Sequence, residues 1–305
     1  MTILSSPPSR LVLGTVQLGM DYGVANVTGK PDFDEAERVV QSAWMNGIHE
    51  FDTAQGYGDS EKNLGRIFES FGINFDVKVI SKIDTTVNHL DENALYNSIM
   101  RSLSNLRCTS LYGLMLHRES LLEIWDKGLG KALNKFVRQG IIQHIGVSVY
   151  SPDKAIQALK LKGISMIQIP ANVIDHRFKN AGVIELADEL GKILYVRSIF
   201  LQGLLLMDND KLPVSMEFAE PVLKKFCKLS RKVKLTRHEL AVGYVKSVYP
   251  NARILFGAET IEQVKNNIYI WKKDCSESVV NLIHDEFYQV DEQILNPSLW
   301  RCNTP

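Results

Sequence analysis

The chain has 305 residues, of which 45% are hydrophobic and 23% charged, a balance typical of a globular protein that buries a large core. Lysine plus arginine equal aspartate plus glutamate at 35 each, so the net charge of +0 gives no overall attraction to nucleic acid or anionic membrane. The opening MTILSSPPSR lacks a signal pattern, and no apolar run reaches the roughly 20 residues of a membrane span. We therefore expect a cytoplasmic protein with no nucleic-acid or membrane partner.

Extended apolar runs alternate along the chain with segments of helical periodicity. Eight strands are predicted, at about 11–15, 49–53, 77–83, 112–117, 144–148, 166–171, 194–199 and 253–257. Helices are predicted between them, among others at 34–46, 60–71, 91–106 and 152–160, with acids or capping residues at their starts. No linker or low-complexity tract divides the chain. The repeated βα unit predicts a single α/β domain over 1–305 that closes into an eight-stranded barrel.

Four polar side chains stand at or just after the ends of predicted strands. The segment FDTAQGYG, residues 51–58, carries Asp52 at its strand end and Tyr57 on a glycine-rich turn. The next two strands end at Lys82 and His117. Each residue alone is commonly structural: a capping acid, a loop tyrosine, a solvated lysine or a buried histidine. Because barrel enzymes keep their chemistry at the carboxyl ends of strands, we expect the four to meet in an active site.

Carbonyl reduction by hydride transfer fits these four residue types. The reaction places negative charge on oxygen, so it needs a proton donor and positive partners. Tyr57 is the candidate general acid, and a Lys82 ammonium beside it would lower the phenol pKa from its ordinary value of about 10. Asp52 would pair with Lys82, since a buried unpaired ammonium is costly. A neutral His117 would donate a hydrogen bond to the substrate oxygen.

The order Asp52, Tyr57, Lys82 and His117, with these flanking sequences, resembles the catalytic tetrad of the aldo-keto reductases, and the similarity runs over about 11–267. The resemblance implies an NAD(P)-dependent oxidoreductase on a (β/α)8 TIM barrel, which interconverts an alcohol and the carbonyl of an aldehyde, ketone or sugar. It also implies an N-terminal β-hairpin, over the glycine-punctuated segment 14–26, that closes the barrel bottom. The tail at about 285–305 would either cover the barrel mouth or pack on the barrel exterior.

The same resemblance implies cofactor contacts on the later strands. Ser148 and Gln168 would hold the nicotinamide carboxamide. Ser198 and the backbone up to Gly203 would meet the pyrophosphate. Arg197 stands where the family usually has an aromatic residue that stacks on nicotinamide. Its guanidinium would stack there, contact an anionic group, or neutralise a carboxylate at the barrel end.

The turn after the last predicted strand, from Gly257 onward, resembles the adenosine-binding end of the family, where Gln263 and Asn267 would contact the adenine. Glu259 lies where members that prefer the phosphorylated cofactor often carry arginine or lysine. A carboxylate repels a 2′-phosphate but accepts a hydrogen bond from a free ribose hydroxyl. NAD(P)H is therefore the expected cofactor, with NAD(H) preferred over NADP(H) unless Lys265 compensates for the missing cation.

No metal site is expected, because the histidines and the cysteines lack the close spacing of metal ligands; the cysteines are Cys108, Cys227, Cys275 and Cys302. The expected partner is a small carbonyl compound or a sugar-like molecule. Two alternatives stay open. One is a redox-neutral isomerase, epimerase or lyase that uses bound NAD or a Schiff base on Lys82. The other is a non-catalytic barrel that senses the cofactor. The sequence leaves the substrate and the oligomeric state undetermined.

Overall fold

The computed structural model describes residues 9–300 and has eight parallel strands that pair in sequence order into a closed barrel. The strands are β1 (Leu11–Gly14), β2 (Glu50–Asp52), β3 (Lys78–Ile83), β4 (Leu111–Leu116), β5 (Ile142–Ser148), β6 (Met166–Pro170), β7 (Ile193–Arg197) and β8 (Arg253–Gly257). β8 pairs with β1 and closes the ring. The predicted (β/α)8 barrel is confirmed, and each predicted strand bound lies within two residues of the observed one.

The helices lie between the strands and after the last of them. They are α1 (Phe33–Met45), α2 (Ser60–Ser70), α3 (Glu92–Leu106), α4 (Gly130–Arg138), α5 (Pro152–Lys160), α6 (Arg177–Asn180), α7 (Val183–Glu189), α8 (Glu220–Val233), α9 (Arg237–Val248), α10 (Ile261–Trp271), α11 (Glu277–Glu286) and α12 (Glu292–Leu295). Side chains fix several starts: Asp32, Asp91, Ser151, Thr236 and Thr260 each accept a hydrogen bond from a backbone N–H of the first turn. The four predicted helices named above are confirmed to within one residue.

The barrel interior is filled with side chains. One cluster of buried residues takes a single side chain from each of six strands: Val12, Ile80, Met115, Met166, Tyr195 and Leu255. Gly146 leaves room for it, because a Cβ there would lie 2.4 Å from Met166 Cγ. A second, larger core packs the strands against the helices. The barrel is therefore closed below its mouth, and a ligand reaches the carboxyl ends of the strands only from that mouth.

The predicted N-terminal hairpin is not formed. In the described chain, β1 is the first strand, and 14–26 contains a 3-10 helix at Val16–Leu18 followed by a loop. The segment leaves β1 at its carboxyl end, so it lies at the mouth of the barrel and lines the cavity there. Thr15 anchors it, with its hydroxyl 2.8 Å from Asp52 O and 2.9 Å from Ser60 Oγ. The glycines of this segment therefore form a loop that leaves a parallel strand, and they do not form the turn of a hairpin.

The tail packs on the barrel exterior. The Phe287 ring meets Phe226 of α8 at 6.1 Å between centroids, and Glu292 Oε1 of α12 lies 3.8 Å from Arg177 Nη1 of α6. No residue of 285–300 lines the cavity. Residues 301–305, with Cys302, lie outside the described part of the chain. Among residues 9–300, no helix combines the length and the apolar character that a membrane crossing requires.

Candidate active site

A cavity of about 640 Å³ opens at the carboxyl ends of the strands. All of the site residues predicted from the sequence line this one cavity: Asp52, Tyr57, Lys82, His117, Ser148, Gln168, Arg197, Ser198, Gly203, Gly257, Glu259, Gln263 and Asn267. Strands β2 to β8, the loops after them and helix α10 supply these residues. The structure therefore brings together residues that are spread over more than two hundred positions of the chain.

Lys82 and Asp52 form a buried ion pair at the base of the cavity. Lys82 Nζ donates to Asp52 Oδ1 at 2.5 Å and to Thr53 O at 3.1 Å, and its third near neighbour is Tyr57 Oη at 3.4 Å. The side chains of Lys82 and Asp52 are only 1% and 5% exposed. Pairing of β2 with β3 sets this geometry, since it places Asp52 opposite Ile80. The ammonium therefore has an acceptor for each of its N–H bonds.

Tyr57 and His117 face each other above this pair, with ring centroids 5.8 Å apart in an edge-to-face arrangement. The turn that carries Tyr57 is held by Tyr57 N, which donates to Ala54 O at 3.0 Å. Gly58 follows in the left-handed region at φ 54°, and a Cβ there would lie 2.4 Å from Gly19 O. Only glycine suits that position, because both the backbone conformation and the close approach exclude a side chain.

The charges around Tyr57 hold its proton in place. Burial and the Asp52 carboxylate raise the pKa of the Tyr57 phenol well above its ordinary value, and the Arg197 guanidinium opposes them. Burial lowers the pKa of the Lys82 ammonium, against the attraction of Asp52. The expected net lowering of the Tyr57 pKa is therefore wrong for this arrangement, because burial and Asp52 outweigh the neighbouring positive charge. Asp52 neutralises the ammonium, so desolvation of the phenolate becomes the largest effect.

His117 is neutral in this environment. Burial, followed by the positive charges of Lys82, Arg197 and Arg118, lowers the pKa of the imidazole to about 4. At neutral pH one ring nitrogen therefore carries a proton and is able to donate a single hydrogen bond into the cavity. This is the protonation state that the sequence argument expects of His117.

Gln168 links the expected cofactor subsite to the ion pair. Its Nε2 donates to Asp52 Oδ2 at 2.8 Å, and Ser148 Oγ donates to Gln168 Oε1 at 3.4 Å. Both carboxylate oxygens of Asp52 are therefore engaged, one by Lys82 and one by Gln168. Sequence reasoning missed this contact, because strand spacing alone does not show which inward-facing side chains meet across a barrel.

Arg197 extends into the cavity from the end of β7 and stacks on Tyr150. Its guanidinium carbon lies 4.3 Å from the centre of the Tyr150 ring. Its Nη1 donates to Ser198 Oγ at 3.2 Å and its Nη2 to Val149 O at 3.4 Å. Within residues 9–300, no carboxylate lies within 4.0 Å of this guanidinium, so a structural ion pair does not account for it. Tyr150 is a site residue that the sequence reasoning missed.

The loop after β7 has an unusual backbone. Ser198, Leu201 and Gln202 adopt positive φ angles of 61°, 50° and 55°, and Gly203 follows at 86°. Such conformations are uncommon for residues with side chains and concentrate at functional sites. Ala25 N donates to Gln202 O at 3.4 Å, so the loop after β1 packs against this loop at the cavity wall. Successive backbone N–H groups in such turns form concavities suited to phosphate oxygens.

The far end of the cavity is built by α9 and α10. Gln263 Oε1 accepts a hydrogen bond from Glu259 N at 2.7 Å, and Asn267 Nδ2 donates to Gln263 O at 2.8 Å. Asn267 Oδ1 also lies 2.9 Å from His238 Nε2, whose ring packs edge-on against Phe200 at 4.9 Å. His238 and Phe200 also line the cavity. They were not predicted as site residues, because neither belongs to a sequence motif of the family. Together these groups form a partly aromatic recess at this end of the cavity.

Comparison with known proteins gives the same family along the whole barrel. A sequence model described as the aldo/keto reductase family matches residues 10–286. A chloroplastic pyridoxal reductase of Arabidopsis thaliana is 25% identical, over 77% of this chain and 72% of that protein. The solved glycerol dehydrogenase of Gluconobacter oxydans has a TM-score of 0.74 at 21% identity and covers 96% of this chain and 95% of its own. An aldo-keto reductase of Klebsiella pneumoniae in complex with NADPH has a TM-score of 0.69 at 16% identity, over 92% and 91% of the two chains.

Proposed function

This chain belongs to the aldo/keto reductase family, and we propose that it uses Tyr57 as the general acid and base to interconvert a carbonyl and an alcohol with a nicotinamide cofactor. One observation carries the proposal. Tyr57, the Lys82–Asp52 pair and His117 line the same cavity, with a protonated phenol beside a neutral imidazole. A non-catalytic binding protein needs neither a buried proton donor nor a buried ammonium beside that donor.

The cavity fits a dinucleotide. Gln17 Oε1 is buried and has no hydrogen-bond partner among the described residues, although its amide packs directly against Gly257. An unpaired polar atom in a cavity wall is suited to a polar ligand. Ser148 and Gln168 would hold the carboxamide, the positive-φ loop up to Gly203 the pyrophosphate, and the recess of α9 and α10 the adenine. When bound, the nicotinamide supplies the hydride for reduction or takes it up in oxidation.

The roles of the tetrad follow from its contacts. His117 donates a hydrogen bond to the carbonyl oxygen and orients it toward Tyr57. Tyr57 gives its Oη proton to that oxygen as negative charge develops, and in the reverse direction it takes the proton back. Lys82 holds the phenolate that results, because its Nζ lies 3.4 Å from Tyr57 Oη. Asp52 keeps the ammonium in place and offsets the cost of burying it.

A Schiff base on Lys82 is the weaker candidate. Imine formation needs a lysine amine that a carbonyl carbon reaches without competing acceptors. Lys82 Nζ instead points at Asp52, Thr53 O and Tyr57, and only 1% of the side chain is exposed. We therefore infer that Lys82 acts on the reaction through Tyr57 and does not contact the substrate carbon.

NAD(H) is the cofactor that we propose this enzyme prefers. Glu259 lines the adenosine end of the cavity, and its backbone N–H is already bound to Gln263. Its carboxylate would accept a hydrogen bond from a ribose 2′-hydroxyl and repel a 2′-phosphate. Within the described residues no lysine or arginine lies within 4.0 Å of that carboxylate, so its charge is not neutralised locally.

The direct test is cofactor oxidation with a panel of carbonyl compounds. NADH and NADPH are added separately, and the absorbance of the reduced nicotinamide is followed. Pyridoxal and glyceraldehyde belong in the panel, since the relatives named above include a pyridoxal reductase and a glycerol dehydrogenase. We expect consumption of reduced cofactor that depends on the carbonyl and is faster with NADH. Tight cofactor binding with no net oxidation by any carbonyl would favour the redox-neutral alternatives.

A further inference from the structure

Among the described residues that line the reacting end of the cavity, Arg197 is a cation that no carboxylate neutralises. Asp52 is engaged by Lys82 and Gln168. Glu119, in the neighbouring loop after β4, turns its carboxylate to the backbone and accepts from Tyr150 N at 2.7 Å. Arg197 therefore keeps its charge, since none of the carboxylates in 9–300 lies within 4.0 Å of it.

Arg197 also has unused hydrogen-bond donors. A guanidinium carries five N–H bonds, and those of Arg197 have two acceptors, Ser198 Oγ and Val149 O. The stack on Tyr150 holds the plane of the guanidinium at the cavity wall. A positioned guanidinium with spare donors matches the oxygens of a carboxylate or a phosphate.

The positive charge of Arg197 lies in the same cavity as the tetrad, where it would act on a bound substrate. The charge of Arg197 acts on the tetrad directly: it favours lower pKa values for Tyr57, Lys82 and His117 alike. Tyr22 borders the same space from the loop after β1. Since the Lys82–Asp52 pair and His117 are neutral as units, Arg197 gives the reacting end a net positive charge, with exposed Arg118 nearby.

We propose that Arg197 binds an anionic group of the substrate, a carboxylate or a phosphate ester, and thereby selects carbonyl compounds that carry one. This inference rests on the proposed carbonyl chemistry and names its substrate class. Tyr22 and Tyr150 line the same cavity as Arg197 and the tetrad, and the guanidinium covers one face of the Tyr150 ring. They would cover the apolar body of a small substrate whose anionic end is held by Arg197.

Matched substrates test this selection. 4-Carboxybenzaldehyde is compared with 4-formylbenzamide, which has the same shape and no charge, and glyceraldehyde 3-phosphate with glyceraldehyde. We expect kcat/KM to favour the carboxylate or the phosphate ester by about 10- to 100-fold in the wild type. Arg197→Met should bring the ratio close to one, whatever its overall rate, while Arg197→Lys should retain part of the preference. Lys211→Met is the control, because that cavity cation already pairs with Asp208 and should leave the ratio unchanged.

An equilibrium measurement separates this inference from the proposed function. With the oxidised cofactor present, calorimetry compares binding of benzoate with that of benzamide. We expect benzoate to bind at least about 10-fold more tightly in the wild type and to lose that advantage in Arg197→Met. This result would support an anion site even if no carbonyl were reduced. Equal binding of the two compounds and equal rates within both substrate pairs would overturn the inference. Weaker cofactor binding in Arg197→Met with an unchanged substrate ratio would also overturn it and assign Arg197 to the cofactor.

Discussion

Lys82 Nζ lies 2.5 Å from Asp52 Oδ1, and the two side chains are among the most deeply buried charged groups of the described chain. Gln168 Nε2 binds the other carboxylate oxygen at 2.8 Å. The three groups form a unit whose net charge is zero, so its burial costs far less than that of either ion alone. Removing one partner would leave the other charge buried without its counterion, which is energetically costly.

Stability measurements on single and double variants test this coupling. Lys82→Met should lower the free energy of unfolding by about 3–5 kcal/mol, because the Asp52 carboxylate stays buried with only Gln168 as partner. The double variant Lys82→Met/Asp52→Asn should be less destabilised than the sum of the two single variants. Urea denaturation near neutral pH measures all three. Additive losses would mean that the two groups do not stabilise each other.

Removal of the Tyr57 hydroxyl should abolish most of the chemistry. Tyr57→Phe keeps the ring that packs edge-on against His117 but lacks the acidic proton. We expect turnover to fall by about 10²- to 10⁴-fold with cofactor affinity nearly unchanged. Steady-state kinetics and fluorescence titration of the cofactor give the two quantities. Near-normal turnover in this variant would contradict the assignment of Tyr57 as the acid.

Gly58 should be needed to position Tyr57. Gly58→Ala places a Cβ at 2.4 Å from Gly19 O and on a backbone at φ 54°, so the turn must move. The matched control is Gly47→Ala, which has a positive φ of 83° but nothing within 4 Å of the added Cβ. Both changes should cost about 1 kcal/mol of backbone strain, and only Gly58→Ala should also reduce kcat strongly. Equal kcat values in the two variants would show that the turn tolerates the displacement.

The sequence predicts those parts of the molecule that depend on local pattern. Strand ends such as Asp52 and His117 are visible because an apolar run stops at a polar residue. The contact between Gln168 and Asp52 spans 116 positions and depends on the closure of the barrel, which no local pattern encodes. The hairpin prediction over 14–26 is wrong because glycines mark loops of many shapes.

The pKa of Tyr57 is a second property that local sequence pattern does not predict. The sequence places a lysine and a tyrosine together, and the simple expectation is a lowered phenol pKa. The structure adds the depth of burial and the neutralising Asp52, and these reverse the direction. Desolvation depends on the three-dimensional surroundings of a group, so residue type alone does not give its sign.

Stability should fall in mildly acidic solution because two histidines are held neutral by burial. The pKa values of His117 and His176 are each lowered to about 4 from an ordinary 6.5. Between these values the unfolded chain binds protons that the folded chain does not, so stability is full above about pH 6.5 and decreases as pH falls toward about 4. His117→Gln should remove about 1–2 kcal/mol of the loss between neutral pH and about pH 5.

His176→Gln is the control for this pH dependence. His176 lies away from the tetrad, beside His284 at 4.8 Å between ring centroids, and does not line the main cavity. Its replacement should flatten the pH dependence of unfolding in the same way without changing the KM of a carbonyl substrate. Urea denaturation at the two pH values measures the slope for each variant. An unchanged slope in His117→Gln would mean that His117 titrates normally in the folded protein.

Cofactor preference should respond to a single side chain at the adenosine end. Glu259→Arg removes a repulsive charge and adds a bidentate phosphate partner, so binding of NADPH should strengthen by about 1–3 kcal/mol and the preference should move toward NADPH. Glu259→Gln should weaken NADH modestly and relieve the repulsion of NADPH, because the amide still accepts a hydrogen bond but carries no charge. Fluorescence titration of both cofactors on the three proteins gives the affinity ratios. If the wild type already binds NADPH more tightly and neither substitution changes the ratio, Glu259 does not contact the ribose and the proposed preference for NAD(H) is wrong.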